Sequence, residues 1–274
     1  MQRYKMLLKR ILENGFPLET RNHPTLQLLG ESLRVQGDFP LLTTKKINYD
    51  KVLTELLWFI RGENHIRWLK EQDNHIWDPW ELDEKGHVGP MYGVQWRHWG
   101  GRGPLDSGID QLEDTLVDLC QRDGSRRMLV TAWSPSDMPY QALPCCHFAF
   151  QLHWQGNFVH MTAYQRSADV CIGVPYNIAS YATLLRMYCH LCRNLTGMTI
   201  NECRAGPVYF HFGDLHMYRD HIILAKEQIA RECLPLPDLA IHGTHQKQFN
   251  DFKKDDFEIV RYDHWSHIPY TVHE

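Results

Sequence analysis

The residue of this sequence best placed to do covalent chemistry is Cys146, in the run LPCCHFAFQ. A cysteine beside a histidine is on its own more often a buried structural thiol. Here the stretch YQRSADVCIGVPYNIASYATL follows shortly and supplies Gln165, Arg166, Ser167, Asp169 and Asn177. A guanidinium that can reach both a bound anion and the thiol lowers the thiol pKa and favours the nucleophilic thiolate. The expected chemistry is therefore attack by Cys146, activated by Arg166. Seventeen histidines and eight cysteines also raise the question of a metal. The tightest groupings, Cys145-Cys146-His147 and Cys189-His190-Cys192, lack a paired CxxC partner, and the second falls inside a helical pattern, so no metal is expected.

The elements that must position these residues read as α+β. Tyr4, Leu7, Leu8, Ile11 and Leu12 recur at helical spacing up to Gly15, a plausible C-cap. Residues 25–35 read as a strand with a turn, and Val52, Leu53, Leu56, Leu57 and Ile60 mark a helix near 50–61. The Trp- and Gly-rich stretch 74–104 is expected to fold as loops around a pocket. A helix is predicted at 109–121, then strand MLVTAW, then a hairpin in which Phe148, Phe150, Leu152 and Trp154 share one face and the turn is Gln155-Gly156. An apolar helix over 177–194, a strand at VYFHFGD and a helix from about 214 to 232 complete the pattern. With hairpins, intervening helices, no repeat and no linker, a single domain over 1–274 with a mixed or antiparallel sheet and flanking helices is expected.

A net charge of −4 gives no bulk basic field for wrapping nucleic acid. The N-terminal MQRYKMLLKRILENG lacks the apolar core and cleavage site of a secretion signal, and no apolar run is long enough to span a membrane. Eight irregularly scattered cysteines read as reduced thiols, so a soluble protein of the cytoplasm, of a bacterium or of a phage-infected host, is expected.

In FPLLTTKK, TELLWFIRG, IWDPW, GPMYGVQWRHW, GSRRMLVTAW, LPCCH, YQRSADV, GVPYNIASY, GDLHMYRDH and DFEIVRYD the chain resembles the thymidylate synthase family, in the same order and over nearly its whole length. The resemblance implies a thymidylate-synthase-like fold and transfer of a one-carbon unit from 5,10-methylenetetrahydrofolate, a co-substrate, to C5 of dUMP. It implies Cys146 as the nucleophile that adds at C6, Asn177 at the O4/N3 edge of the base, Glu55 organising water and proton transfer near O4, and Tyr92 at removal of the C5 proton. Arg166 and Asp169 complete the implied catalytic set. Arg21, Arg126, Arg127, Arg166 and Ser167 match the phosphate set, with Gln165 and Asn177 beside the base and His216 and Tyr218 at the sugar 3′-hydroxyl. In the family the Arg-Arg pair enters from the neighbouring subunit, so Arg126-Arg127 implies a homodimer. Ile76, Trp77, Trp80, Leu143, Asp169, Gly173 and Tyr176 match the folate walls, and Lys45 the folate glutamate tail. His147 is expected to be structural. Cys145, where the family typically has proline, is expected to face away from Cys146.

Three departures bear on the product. The family's phosphate loop, Arg-Thr-Gly-Thr-Gly-Thr, is here Arg21-Asn22-His23-Pro24-Thr25, one residue shorter and without its glycines. Asn48 and Asp50 stand where synthases often have histidine and a basic residue, which would alter folate-tail contacts. The tail ends Val272-His273-Glu274 rather than in small apolar residues. An apolar tail excludes water during hydride transfer, whereas His273 or Glu274 would hold or activate it. The favoured expectation is consequently a dUMP hydroxymethylase that adds water to the methylene intermediate. A thymidylate synthase giving dTMP and dihydrofolate is the alternative, and a catalytically silent nucleotide- or RNA-binding homologue a further one.

Overall fold

The computed structural model describes residues 1–101, 107–122 and 124–273. Its helices are α1 (Gln2–Asn14), α2 (Tyr49–Arg61), α3 (Arg67–Glu71), α4 (Tyr92–Arg97), α5 (Gln111–Gln121), α6 (Gly173–Thr196) and α7 (Ile222–Ala230). Its strands are β1 (Phe16–Leu18), β2 (Thr25–Val35), β3 (Leu129–Thr131), β4 (His147–Gln155), β5 (Phe158–Asp169), β6 (Arg204–Tyr218), β7 (Asp238–Ile241) and β8 (Phe257–Val260). The first six strands form one sheet in the order β1-β2-β6-β5-β4-β3. Only β5 and β6 in it run parallel, and α6 makes their crossover. A hairpin of β7 and β8 stands apart from this sheet. The expected α+β class with a mixed sheet is what the chain forms.

α6 is a 24-residue core element in which Val174, Ile178, Leu184, Leu185, Met187, Tyr188 and Leu191 are buried, and Gly197 ends it in the left-handed region at φ 76°. In α2 the predicted inward set is buried, with Asn48 Oδ1 accepting the Lys51 N–H as N-cap. Asp50 pairs with Lys254 at 2.6 Å. Both departures at 48–50 thus have local structural partners. No helix among the described residues is long and apolar enough to cross a membrane. All eight cysteines are free thiols.

Two expectations need correction. Residues 25–35 form one continuous strand, paired with β6 from Thr25↔Tyr218 to Val35↔Val208. The helix expected from about 214 begins only at Ile222, because β6 runs on to Tyr218. Leu215 and Met217 are buried at alternate positions, a two-residue period that continues the strand pattern.

α4 sits directly on α2. A Cβ built on Gly93 would lie 2.6 Å from the Phe59 carbonyl oxygen, a backbone atom that cannot step aside. Gly93→Ala is therefore expected to cost ~2 kcal/mol by overpacking. Chemical denaturation would measure this, with the midpoint falling at unchanged slope.

Candidate active site

Cys146 lies just before β4, at the end of a loop that Arg166 of β5 ties down. The Arg166 guanidinium donates to the Pro144 carbonyl at 2.6 Å, to the Cys145 carbonyl at 3.2 Å and to Cys146 Sγ at 3.5 Å. Its backbone N–H donates to the Cys146 carbonyl at 2.9 Å. One side chain thus fixes the thiol's backbone and places positive charge beside its sulfur. Even so, burial pushes the Cys146 thiol above its ordinary value, and the pull of Arg166 and of the Tyr92 hydroxyl only partly offsets this. Arg166 lowers the thiol pKa as expected, but desolvation of the thiolate outweighs it.

Tyr92, the first residue of α4, accepts the Cys146 N–H at 2.8 Å. Its ring stacks on His147 at 4.0 Å with an interplanar angle of 12°. His147 Nδ1 meets the Tyr181 hydroxyl at 2.9 Å, and burial lowers its pKa to about 3, which keeps the ring neutral. Cys145 is buried, and desolvation raises its thiol to about 12. Glu55 of α2 accepts from Trp77 Nε1 at 2.7 Å, and burial raises its pKa to about 7 against that bond. Trp77 packs on Tyr92 at 6.0 Å, so the acid and the phenol share one aromatic wall.

β5 and α6 supply amides. Asn177 Nδ2 donates to Gln165 Oε1 at 3.3 Å, while Gln165 Nε2, buried, has no hydrogen-bond partner among the described residues. Asp169 Oδ1 accepts the N–H groups of Cys171 (2.7 Å) and Ile172 (3.2 Å), fixing the chain as it enters α6 at Gly173. Ser167 and Asp169 sit in register with Asp214 and His216 of β6. The His216 and Tyr218 rings meet edge to face at 5.4 Å. His216 Nδ1 is a second buried nitrogen without a hydrogen-bond partner among the described residues. Ile76, Trp80, Leu143 and Tyr176 pack on the core but remain partly uncovered, which suits a flat heterocycle laid against them. Trp77 is more deeply buried, behind Trp80 at 5.5 Å.

Not every expected residue joins this cluster. Lys45 is buried and donates to the Cys171 carbonyl at 2.6 Å, with its ammonium 4.7 Å from the Tyr270 ring centre. Burial lowers its pKa to about 8. An ammonium so enclosed does not suit the expected contact with a glutamate tail. Arg21 is exposed and donates to Asn22 Oδ1 at 3.0 Å. Arg126 and Arg127 are exposed on the loop before β3. His273 is turned onto Asp220, with Nε2 at 2.9 Å from Oδ2, and Glu274 lies outside the described residues. A surface groove of about 710 Å³ between α2, α3 and residues 249–255 contains none of the candidate site residues.

Sequence reasoning missed the residues that hold the tail. Buried His221 meets the Thr271 carbonyl through Nε2 at 2.8 Å, and Tyr270 donates to Gln228 at 2.8 Å. His23 and Asp220 complete that contact. No periodicity links such distant positions. The one available signal was that His23 stands in a loop whose usual residues are glycine and threonine.

Residues 2–274 match the model of the family described as thymidylate synthase. The chain is 42% identical over 265 residues to the thymidylate synthase of Corynebacterium aurimucosum, an alignment covering 95% of this chain and 93% of that protein. A thiol held by an arginine, a desolvated carboxyl and a paired amide thus stand on a sequence alike over its whole length to such enzymes, and the chain belongs to the thymidylate synthase family.

Proposed function

We propose that the chain transfers the one-carbon unit of 5,10-methylenetetrahydrofolate to C5 of dUMP and releases dTMP and dihydrofolate. The observation that carries this reading is the Cys146 sulfur at 3.5 Å from Arg166, whose neighbour on β5, Gln165, pairs with Asn177. Uracil C5 is too weak a nucleophile by itself. Addition of the Cys146 thiolate at C6 makes the ring an enolate that attacks from C5, and breaking the S–C6 bond later returns the thiolate. Methylenetetrahydrofolate supplies the carbon and, for a methyl product, the hydride. With Nδ2 donating to Gln165, Asn177 keeps Oδ1 to accept from uracil N3–H and a second Nδ2 proton for O4. Cytosine would present the opposite pattern at both atoms. Glu55, poised near neutrality, exchanges protons with O4 through water, and Tyr92 serves departure of the C5 proton. Arg166 and Ser167 hold the phosphate, which Arg21 reaches only by leaving Asn22, and His216 and Tyr218 hold the sugar. The exposed Arg126 and Arg127 reach the site of a second copy in a homodimer. Eight free thiols fit a reducing cytoplasm.

Methyl transfer is preferred over hydroxymethylation because of where His273 lies. Its imidazole is bound to Asp220 and packed 4.4 Å from the Tyr218 ring, at the sugar end of the site, where it is a poor base for water at the C5 methylene. The test is product mass together with dihydrofolate absorbance. dTMP with stoichiometric dihydrofolate is expected, whereas 5-hydroxymethyl-dUMP without dihydrofolate would show that the polar tail delivers water after all. Absence of tritium release from 5-tritiated dUMP would instead indicate a silent binding homologue.

A further inference from the structure

Three segments remote in sequence meet at the end of β6: the turn at 20–24, the 3-10 turn Arg219–His221 and the C-terminal tail. The rings of His23 and His273 stack there at 4.3 Å with an interplanar angle of 11°. Both present Nε2 to one carboxylate, His273 at 2.9 Å from Asp220 Oδ2 and His23 at 3.6 Å from Oδ1. The His273 side chain is 15% exposed, and those of His23 and Asp220 are each 36% exposed, so the group is formed but open on one side.

Two imidazole nitrogens and one carboxylate converge here, with all ligand atoms within 4.8 Å of one another. A tetrahedral ion ~2.1 Å from each donor needs donor separations of roughly 3.4 Å. The observed nitrogen–oxygen separations of 2.9 and 3.6 Å bracket that value, and an ion would replace the hydrogen bond to Asp220 and turn the two stacked rings until their lone pairs meet it. Two imidazoles and one carboxylate are also the borderline ligand type that divalent zinc takes when one position stays open. The contact between His221 and the Thr271 carbonyl holds the tail in place beforehand, which lowers the ordering cost of bringing His273 to the ion.

A second convergence, Asp169, Cys171 and His221, is less suited. Asp169 Oδ1 already accepts two backbone N–H groups, and His221 Nε2 is committed to the Thr271 carbonyl. Neither cluster suggested by sequence, Cys145-Cys146-His147 or Cys189-His190-Cys192, forms such a convergence among the described residues.

We propose that His23, Asp220 and His273 form a divalent transition-metal site, best fitted to zinc, that clasps the C-terminal tail to the turn at 20–24. The ion would join two chain segments that two of the three family departures had separately marked as unusual. It would also seat the tail over Tyr218, whose ring lies 4.4 Å from His273 and 6.2 Å from His23. The proposal is independent of which product the enzyme makes.

Cobalt titration of the full-length chain, with zinc competition, tests it directly. One cobalt per chain is expected, with visible bands of a tetrahedral nitrogen/oxygen site, displaced by zinc and lacking the ultraviolet thiolate charge-transfer band. His23→Ala and His273→Ala should each weaken binding by ~100-fold or more. Zinc should also slow amide exchange at 270–273 in the unmodified chain and leave it unchanged in either variant. A thiolate charge-transfer band that survives His23→Ala would place the ion on cysteine and overturn the proposal. Equal affinity in the unmodified chain and the His23→Ala/His273→Ala double variant would overturn it as well.

Discussion

Cys146→Ala is expected to lower kcat by ~10⁴-fold or more while leaving dUMP binding and fold stability nearly intact. The split follows from which atoms do what. The local backbone is held by the Cys146 N–H to the Tyr92 hydroxyl, the Cys146 carbonyl to the Arg166 N–H, and the Arg166 guanidinium to the Pro144 and Cys145 carbonyls. Alanine keeps all of these. Removing Sγ deletes its 3.5 Å contact with Arg166, its weak contact with the Pro144 carbonyl at 4.0 Å, the pull of the Tyr92 hydroxyl on the thiol, and the attack on C6, without which C5 has no carbanion character to lend. Because Arg166 keeps its carbonyl partners, its charge remains available to phosphate. The measurement is steady-state turnover alongside equilibrium binding of dUMP and tritium release from 5-tritiated dUMP. Turnover or tritium release surviving at more than a few per cent would remove Cys146 from the chemistry. Binding lost together with turnover would mean that Sγ holds the loop rather than attacking the ring.

The ease of reading Cys146 from sequence has a physical basis. Gln165, Arg166, Ser167 and Asp169 lie on one strand, and Asn177 lies one turn into the helix that follows, so near neighbours in sequence became neighbours in the site. Alternation and helical spacing likewise located α1, α2, α5 and α6, since burial on one face leaves a periodic trace. Reading failed where a second, distant partner decided the outcome. Nothing in Lys45-Lys46 says which ammonium turns inward; the Cys171 carbonyl and the Tyr270 ring settle that for Lys45. β6 extended past its expected end because β2 and β5 flank it on both sides, and ladder hydrogen bonds to two neighbours outweigh local helix preference. The net charge effect on Cys146 was unreadable for the same reason: arginine is visible in sequence, but the desolvation opposing it belongs to the assembled wall.

That wall gives the second large effect. Glu55→Gln is expected to reduce kcat by ~10²–10⁴-fold and yet to stabilise the protein at alkaline pH. Burial raises the Glu55 carboxyl from its ordinary 4.5 to about 7, with the Trp77 N–H pulling the other way. The folded chain therefore holds this proton more tightly than the unfolded chain does. Its contribution to folding is most favourable below about pH 4.5, where both states are protonated, and is lost as pH rises toward about 7. Above that, folding carries the cost of an ion in a desolvated place, about 3 kcal/mol at 1.36 kcal/mol per pH unit. Glutamine keeps the shape and an oxygen for Trp77 Nε1 without the charge. In denaturation at pH 8 the variant should exceed the parent by up to about that amount, and at pH 4.5 the gap should close. The same proton explains why the group is retained. A carboxyl that releases its proton near neutrality can both give to and take from O4 of the ring at working pH, whereas an ordinary one would stay ionised. A stability gap independent of pH would show that the substitution acts through packing, and turnover unchanged in Glu55→Gln would remove the carboxyl from proton transfer.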